Sequence, residues 1–131
     1  MKLRQLLAAF AIVGTLATSA TFVPAATPEA EAARSGYWGA ISWAYNGATG
    51  YAVNYPTQKS AIRAAKGRCG SRCGYFTFYR SCGAVAYKFT SYRTYVGTAR
   101  GYRTRVGAER AARSQAGYGS HVRGWACTSG R

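Results

Sequence analysis

Beyond residue 32 the chain contains one carboxylate side chain, Glu109, and one imidazole, His121, among many arginines. A small nuclease can use a glutamate as base, a histidine as acid and arginines to bind phosphate. Glu109, however, lies four residues after Arg105 and four before Arg113, the spacing of ion pairs on a helix surface. His121 follows a glycine-rich turn at the start of a predicted strand, an ordinary place for an exposed or structural histidine. We therefore predict no catalytic residues, and an exported ribonuclease is the enzymatic alternative.

Other catalytic chemistry and metal binding lack the required side chains. Aspartate is absent from the sequence, which excludes a Ser–His–Asp triad, and hydrolysis by paired carboxylates needs a second acid beside Glu109. The four cysteines begin with a Cys-x3-Cys pair and continue with two widely separated residues, a poor match to a zinc site. We predict a protein that is not an enzyme and that holds no cofactor and no metal.

Arginines with interleaved tyrosines form the strongest candidate for a binding site. Guanidinium groups suit phosphate and sulfate, and tyrosine rings between them offer stacking faces. The net charge of +15 favours association with cell-wall polymers, acidic glycans, nucleic acid or anionic lipid. The candidate anion-binding residues are Arg93, Arg100, Arg103, Arg105, Arg110, Arg113 and Tyr102.

The positive charge is also compatible with two alternative roles. It can serve only to keep an exported protein soluble. Alternatively, the protein is a secreted effector or inhibitor whose basic surface speeds association with an acidic protein partner. We predict an anionic polymer or surface as the partner, because the arginines are dense in one segment and alternate with aromatic residues.

The first 32 residues are predicted to form a secretory signal peptide. Lys2 and Arg4 give it a basic start. The apolar run Leu6–Leu16 has the length of a signal-peptide core and is too short for a membrane span, and Ala30-Glu31-Ala32 is a cleavage pattern. We expect the single domain 33–131 to be secreted, either extracellular or associated with the cell wall. Cleavage leaves its net charge at +15.

The remaining sequence repeats itself once, in the order strand, strand, helix, strand. The matching pairs of segments are 38–43 with 82–87, 51–55 with 95–99, and 61–65 with 108–112. We predict an α+β fold in which two copies, about 37–81 and 82–131, form antiparallel sheet packed with two helices and stapled by disulfides. The aromatic residues of the predicted strands, Trp38 and Trp125 among them, are expected to pack in the core.

Both predicted helices follow a threonine and precede a glycine. Thr57 is a natural N-cap for a first helix that runs to about Arg68. A second helix runs from about Thr104 to Ala116, and a glycine is well placed to end each helix. Alanines recur along the helices at the spacing i, i+4, which predicts that each helix packs closely on a sheet.

The four cysteines predict two disulfides, because their number is even and export leads to an oxidising compartment. Four cysteines allow three connectivities. The repeat favours one of them, since both cysteines of the Cys-x3-Cys pair lack a counterpart in the second copy, and the other two each follow the closing strand of their copy. We therefore predict the bridges Cys69–Cys73 and Cys82–Cys127.

Several of these segments together resemble a known family. They are Tyr37–Ser42 (YWGAIS), Asn54–Thr57 (NYPT), Arg68–Cys73 (RCxxxC), Ser81–Ala86 (SCGAVA) and Trp125–Cys127 (WAC). In this combination the sequence resembles the family called domain of unknown function 4189 (DUF4189), over nearly all of residues 33–131. The resemblance implies a small exported bacterial domain with no established activity or catalytic residues. This chain departs from common members in being far more basic and in lacking a cysteine pair in its second copy.

Overall fold

The computed structural model describes residues 36–130, and the predicted signal peptide lies outside them. The described part of the chain follows the predicted order of strand, strand, helix, strand, twice over. The elements are β1 (Trp38–Trp43), β2 (Thr49–Tyr55), α1 (Gln58–Cys69), β3 (Gly74–Tyr79), β4 (Cys82–Phe89), β5 (Thr94–Tyr102), α2 (Arg105–Ala116) and β6 (His121–Cys127).

The strands form two antiparallel sheets of three, one from each copy. β1 lies between β2 and β3, and β4 lies between β5 and β6. Small residues face each other at the same place in both sheets, since Ala40 pairs with Ala52 and Ala84 pairs with Ala99. The α+β fold with two antiparallel sheets and two helices is therefore confirmed.

One detail of the predicted repeat is wrong. The sequence pattern matches segment 51–55 with segment 95–99. In the structure, Tyr51 pairs with Ile41, whereas Thr98 holds the corresponding position opposite Val85. The β4–β5 hairpin is three residues longer than the β1–β2 hairpin. A match by residue type alone therefore aligns β2 with the wrong residues of β5.

Each helix begins at a threonine cap, as the sequence predicts. The hydroxyl of Thr57 accepts a hydrogen bond from the amide of Ser60 at 3.1 Å. The hydroxyl of Thr104 accepts one from the amide of Gly107, also at 3.1 Å. A glycine with positive φ ends each helix, where the left-handed backbone turns the chain away from the helix axis. Among residues 36–130, no helix is long and apolar enough to cross a membrane.

Alanine faces bring each helix very close to its own sheet. The buried alanines are Ala61 and Ala65 in α1 and Ala108, Ala112 and Ala116 in α2. A Cβ atom on Gly50 would lie 2.5 Å from the carbonyl oxygen of Ala65. A Cβ atom on Gly97 would lie 1.9 Å from the carbonyl oxygen of Ala112. The strand residue beneath each helix must therefore be glycine, which leaves room for the helix backbone.

The helices lie on the outer faces of the molecule, and the two sheets pack against each other inside. One cluster of buried residues lies between α1 and the first sheet, and another lies between α2 and the second sheet. A third cluster joins the sheets and contains Ile41 of β1, Phe78 of β3, Val85 and Tyr87 of β4, and Ala126 of β6. The core is thus layered as helix, sheet, sheet, helix.

Two disulfides are present, in agreement with the predicted number. One joins Cys69 at the end of α1 to Cys73 before β3, and the other joins the neighbouring strands β4 and β6 through Cys82 and Cys127. The second bridge occupies a cross-strand position that the first copy fills differently. There Trp38 pairs with Tyr79, and the two ring centroids are 5.1 Å apart.

Asn54 joins the last described residues to the first copy. It adopts a positive φ of 63°, which asparagine tolerates better than most residues. Its backbone carbonyl accepts a hydrogen bond from the amide of Gly36 at 3.3 Å, and its Oδ1 accepts one from the amide of Ser129 at 2.8 Å. The segment after β6 is thereby fixed against the first copy.

Candidate functional site

The arginines predicted to bind anions are all exposed, but they do not form one cluster. Their positions are Arg93 in the β4–β5 connection, Arg100 on β5, Arg103 before α2, Arg105 in the first turn of α2, and Arg110 and Arg113 further along α2. They follow the chain around the second copy, so that the predicted set is divided among several surfaces.

Arg105 has the most definite surroundings of this set. Its guanidinium carbon lies 3.8 Å from the centroid of the Trp125 ring. Its Nε donates a hydrogen bond to a carboxylate oxygen of Glu109, which confirms the ion pair predicted from their spacing. A guanidinium group over an indole ring keeps N–H donors at its edge, where they can bind an anion.

Trp125 is not a core residue, contrary to the sequence prediction. It is 38% exposed, because β6 is an edge strand and the face of its ring is covered by Arg105 instead of by apolar side chains. Trp38 is half-buried and packs against the alanine core of the first copy. Alternation along a strand predicts which side a residue faces, but not whether a neighbour covers it.

Two residues of the predicted set line a groove of about 570 Å³ between the edge strands β3 and β5, which we call the β3–β5 groove. The two are Arg100 and Tyr102. Much of the remaining lining is polar and neutral. The Nε2 of Gln58 donates a hydrogen bond to the hydroxyl of Thr77 at 2.8 Å. The Oε1 of Gln115 accepts one from the amide of Thr98 at 3.0 Å, which covers the backbone of this edge strand.

The other predicted arginines lie on more open surface. Arg110 and Arg113 border a shallow depression of about 490 Å³ together with Tyr118, which is 97% exposed. The guanidinium carbon of Arg93 lies 5.6 Å from the centroid of the Tyr95 ring. These residues contribute to long-range attraction of anions without forming an enclosed cleft.

A second groove, which sequence reasoning did not predict, lies between β2 and β6 and has a volume of about 530 Å³. Arg68 at the end of α1 and Arg123 on β6 line this β2–β6 groove, together with the exposed side chains of Tyr51 and Trp125. A guanidinium N–H group of Arg68 donates a hydrogen bond to the backbone carbonyl of Tyr51. The lining comes from both copies, so no local sequence pattern brings it together.

One signal in the sequence does mark the β2–β6 groove. Val85 of β4 pairs with Gly124, but the next residue, Ala86, pairs with Val122. Arg123 is therefore an extra residue in β6, forming a β-bulge, whereas β3 pairs with β1 without a shift. Bulges re-aim side chains and are frequent beside functional sites. The spacing between matching residues of the two copies increases by one at this point, which a careful alignment of the repeat detects.

Basic side chains of the described residues lie over aromatic rings more than beside carboxylates. Glu109 is the one acidic side chain between residues 36 and 130, and it forms an ion pair with Arg105. Arg80, for example, lies 4.4 Å from the centroid of the Tyr37 ring and 5.6 Å from that of Tyr79. A ring attracts a cation without neutralising it, so the surface keeps its positive potential.

Glu109 and His121 lie in different places. Glu109 is bound to Arg105 on α2, beside Trp125, whereas His121 is the first residue of β6, four residues before Trp125. His121 lines an open pocket of about 390 Å³ that it shares with Arg123 and that has no acidic side chain in its lining. Within residues 36–130, no three His, Cys, Asp or Glu side chains come together as a metal site would require.

Tyr87 is a buried titratable group that links the two copies. Its hydroxyl donates a hydrogen bond to the backbone carbonyl of Ala44, at 2.8 Å. Burial raises the pKa of Tyr87 above its ordinary value of 10.0, and the positive charge of Arg123 offsets part of that rise. The phenol is therefore neutral, and it serves the packing of the sheets.

The fold defines a class of small α+β domain, in which two strand–strand–helix–strand copies pack sheet against sheet and are held by two disulfides. The family model described as Domain of unknown function (DUF4189) matches residues 38–127, and the chain belongs to this family. It is similar to Rv1813c from Mycobacterium tuberculosis, known from an NMR structure, with 26% sequence identity and a TM-score of 0.53. The similarity covers 97% of this chain and 99% of that chain. No curated protein matches the sequence significantly.

Proposed function

We propose that this protein is a secreted, non-enzymatic domain that binds an anionic polymer or surface. The observation that carries the proposal is the lack of neutralisation within the molecule. Among residues 36–130 the sole side-chain carboxylate belongs to Glu109, and Arg105 already holds it. An anionic ligand would supply the countercharges that the other lysines and arginines do not find in the protein, and would release the small ions bound there in its absence.

The kind of cation and its neighbours support binding rather than a purely solubilising role. Arginine outnumbers lysine, and its planar fork can hold phosphate, sulfate or carboxylate through two hydrogen bonds at once. Rings lie next to several of these arginines, as for Arg93 with Tyr95 and Arg105 with Trp125. Charge that serves only to keep a protein soluble does not require aromatic neighbours. Aromatic side chains next to the arginines can stack on a polyanion that itself contains rings.

The test is a titration of the purified, oxidised protein with DNA, a sulfated glycan and anionic lipid vesicles, at salt concentrations from about 50 to 200 mM. We expect at least one of these polyanions to remain bound near physiological salt. Loss of all binding at the upper end, with a steep salt dependence and no preference among ligands, would refute the proposal. The search would then turn to an acidic protein partner, which binds with a defined stoichiometry.

A matched pair of variants locates the binding surface. Replacement of Arg100, Arg103 and Arg105 by Ser should weaken binding and flatten its salt dependence by about one unit of log–log slope for each phosphate that is no longer bound. The control replaces three exposed cations of the first copy by Ser, namely Lys59, Arg63 and Arg72. Equal losses of affinity in the two variants would mean that total charge, rather than the second copy, determines binding.

A further inference from the structure

We propose that the β2–β6 groove binds single-stranded nucleic acid. This inference rests on the proposed function and gives it a place and a class of ligand. It begins with the internal repeat, under which β2 corresponds to β5 and β6 corresponds to β3. The β2–β6 and β3–β5 grooves are therefore counterparts of similar volume, about 530 and 570 Å³, built on the same backbone. The two grooves can therefore be compared residue by residue. A side chain that differs between corresponding positions is not required by the fold that they share.

The two grooves differ in charge. Arg68 occupies the helix position that Gln115 occupies in the second copy, and Arg105 occupies the position of Gln58. Arg123 has no counterpart, because it is the extra residue of the β6 bulge. Arg68 and Arg123 thus line the β2–β6 groove, and Arg105 lies beside it in its ion pair with Glu109, where the other copy has two glutamines and no insertion. The β3–β5 groove has one arginine in its lining.

The glutamines show that these positions do not need charge for folding. Arg68 donates a hydrogen bond to the backbone carbonyl of Tyr51 on the edge strand β2. Gln115 makes the equivalent contact in the other copy, where its side chain accepts a hydrogen bond from the backbone amide of Thr98. Both side chains cover an exposed strand edge, Arg68 at a backbone carbonyl and Gln115 at a backbone amide. The second copy thus folds with a neutral residue at the position of Arg68, so the fold by itself does not require a charge there.

Aromatic rings line both grooves, at different positions: Tyr51 and Trp125 in the β2–β6 groove, and Tyr75, Phe76 and Tyr102 in the β3–β5 groove. The arginines are therefore what distinguishes the β2–β6 groove. Trp125 pairs with Ala84 in the second sheet, and the corresponding residue of the first sheet is Thr77, opposite Ala40. Tyr51, which is 52% exposed at the β2–β6 groove, corresponds to a threonine in the other copy. Guanidinium groups that bind a backbone of phosphates, next to aromatic side chains on which bases stack, are the usual composition of a single-strand binding groove.

The lining favours a nucleic acid over a glycan. Its side chains include no carboxylate and no carboxamide, the groups that best accept hydrogen bonds from sugar hydroxyls. Arginine side chains are donors only and suit phosphate oxygens. A duplex keeps its bases stacked on each other and offers no free base face to Trp125, whereas a single strand does.

The experiment measures fluorescence anisotropy of a labelled oligothymidylate of about 12 nucleotides, within the site size of single-strand binding modules, with the purified, oxidised protein. The groove variant replaces Arg68 and Arg105 by Gln, the residues of the other copy, and Arg123 by Thr. The control variant removes the same charge elsewhere by replacing Lys59, Arg63 and Arg72, which are exposed and lie outside the groove and the predicted anion-binding set, with Gln. We expect the groove variant to lose about tenfold more affinity than the control near physiological salt.

A third variant separates stacking from charge. Trp125→Thr introduces the residue of the other copy and should lower affinity about tenfold with an unchanged salt dependence, since the number of bound phosphates stays the same. Circular dichroism reports whether each variant is folded. A difference in electrophoretic mobility with and without a reductant reports whether its disulfides are formed.

The outcomes distinguish this inference from the proposed function. Equal losses of affinity in the groove and control variants would overturn the groove as the site while leaving polyanion binding intact. Equal affinity for a duplex of the same length, or tighter binding of a sulfated glycan that the groove variant loses, would overturn the ligand class. If the wild-type protein binds no polyanion at about 150 mM salt, the proposed function itself fails.

Discussion

Arg105 lies 3.8 Å from the centroid of the Trp125 ring, and six further contacts between a lysine or arginine and a ring occur within residues 36–130. At an exposed site such a contact is worth about 0.5–1 kcal/mol, comparable with a surface ion pair. Rings therefore organise the basic side chains of a chain that has almost no acids. They orient the guanidinium groups that they contact, and, apart from Arg105 with its partner Glu109, these cations keep their charge available to a ligand.

Tyr87 provides a test at the scale of one residue. Tyr87→Phe should lower the free energy of unfolding by about 1 kcal/mol near neutral pH, because the hydrogen bond to Ala44 is removed. The pKa of Tyr87 is raised in the folded protein, so the unfolded chain releases this proton at lower pH than the folded chain does. The contribution of Tyr87 is therefore complete below pH 10 and is lost as the pH rises through the folded pKa.

The measurement is guanidinium-induced unfolding of both proteins in steps from about pH 8 to pH 11. Every other tyrosine is common to the two proteins, so the difference between them isolates Tyr87. The wild-type advantage should shrink above pH 10. A difference that stays constant over this range would contradict the assignment of a raised pKa.

At the scale of helices and strands, much of the structure could be predicted from local chemistry. The threonine caps and the glycine ends predicted both helices within about one residue, since capping depends on residues next to one another in the chain. The β2–β6 groove could not be predicted in this way. Arg68 and Arg123 meet there because two sheets pack face to face, and that packing is determined by contacts between residues far apart in the sequence. The exposure of Trp125 has the same origin.

Two glycine substitutions test the close approach of helix and strand. Gly97→Ala should lower the free energy of unfolding by about 1–3 kcal/mol, because its Cβ would lie 1.9 Å from the carbonyl oxygen of Ala112. Gly67→Ala, on the exposed side of α1 with nothing within 4 Å, should raise it by about 1 kcal/mol through helix propensity. Urea unfolding of both variants gives the signs. A neutral Gly97→Ala would mean that the helix can move outward without cost.

At the scale of the whole molecule, each copy closes its sheet at the same place by different means. A disulfide between Cys82 and Cys127 joins β4 to β6, where a pair of rings, Trp38 and Tyr79, joins β1 to β3. The aromatic pair contributes about 0.2–1 kcal/mol beyond a pair of alanines. The disulfide contributes more, since it removes conformational freedom from the unfolded chain across the whole second copy.

Paired substitutions should separate the two bridges. Replacing Cys82 and Cys127 by Ala should lower the free energy of unfolding by about 4 kcal/mol, since the bridge spans 45 residues. Replacing Cys69 and Cys73 by Ala should cost about 2 kcal/mol, because that bridge spans 4 residues. Guanidinium unfolding of the two variants and of the wild-type protein measures both values. A larger loss of stability from the short bridge would contradict the entropic account.

Asn54 holds Gly36 through its backbone and Ser129 through its side chain. The first and last described residues are therefore close together in space. The backbone thus passes through the two similar copies and returns to a point near its start. A circularly permuted chain, opened between β3 and β4 and joined across this point by a short linker, would place β4 to β6 first and β1 to β3 last. Every interface between the halves would be kept, since the packing depends on which halves meet and not on the order in which they are synthesised.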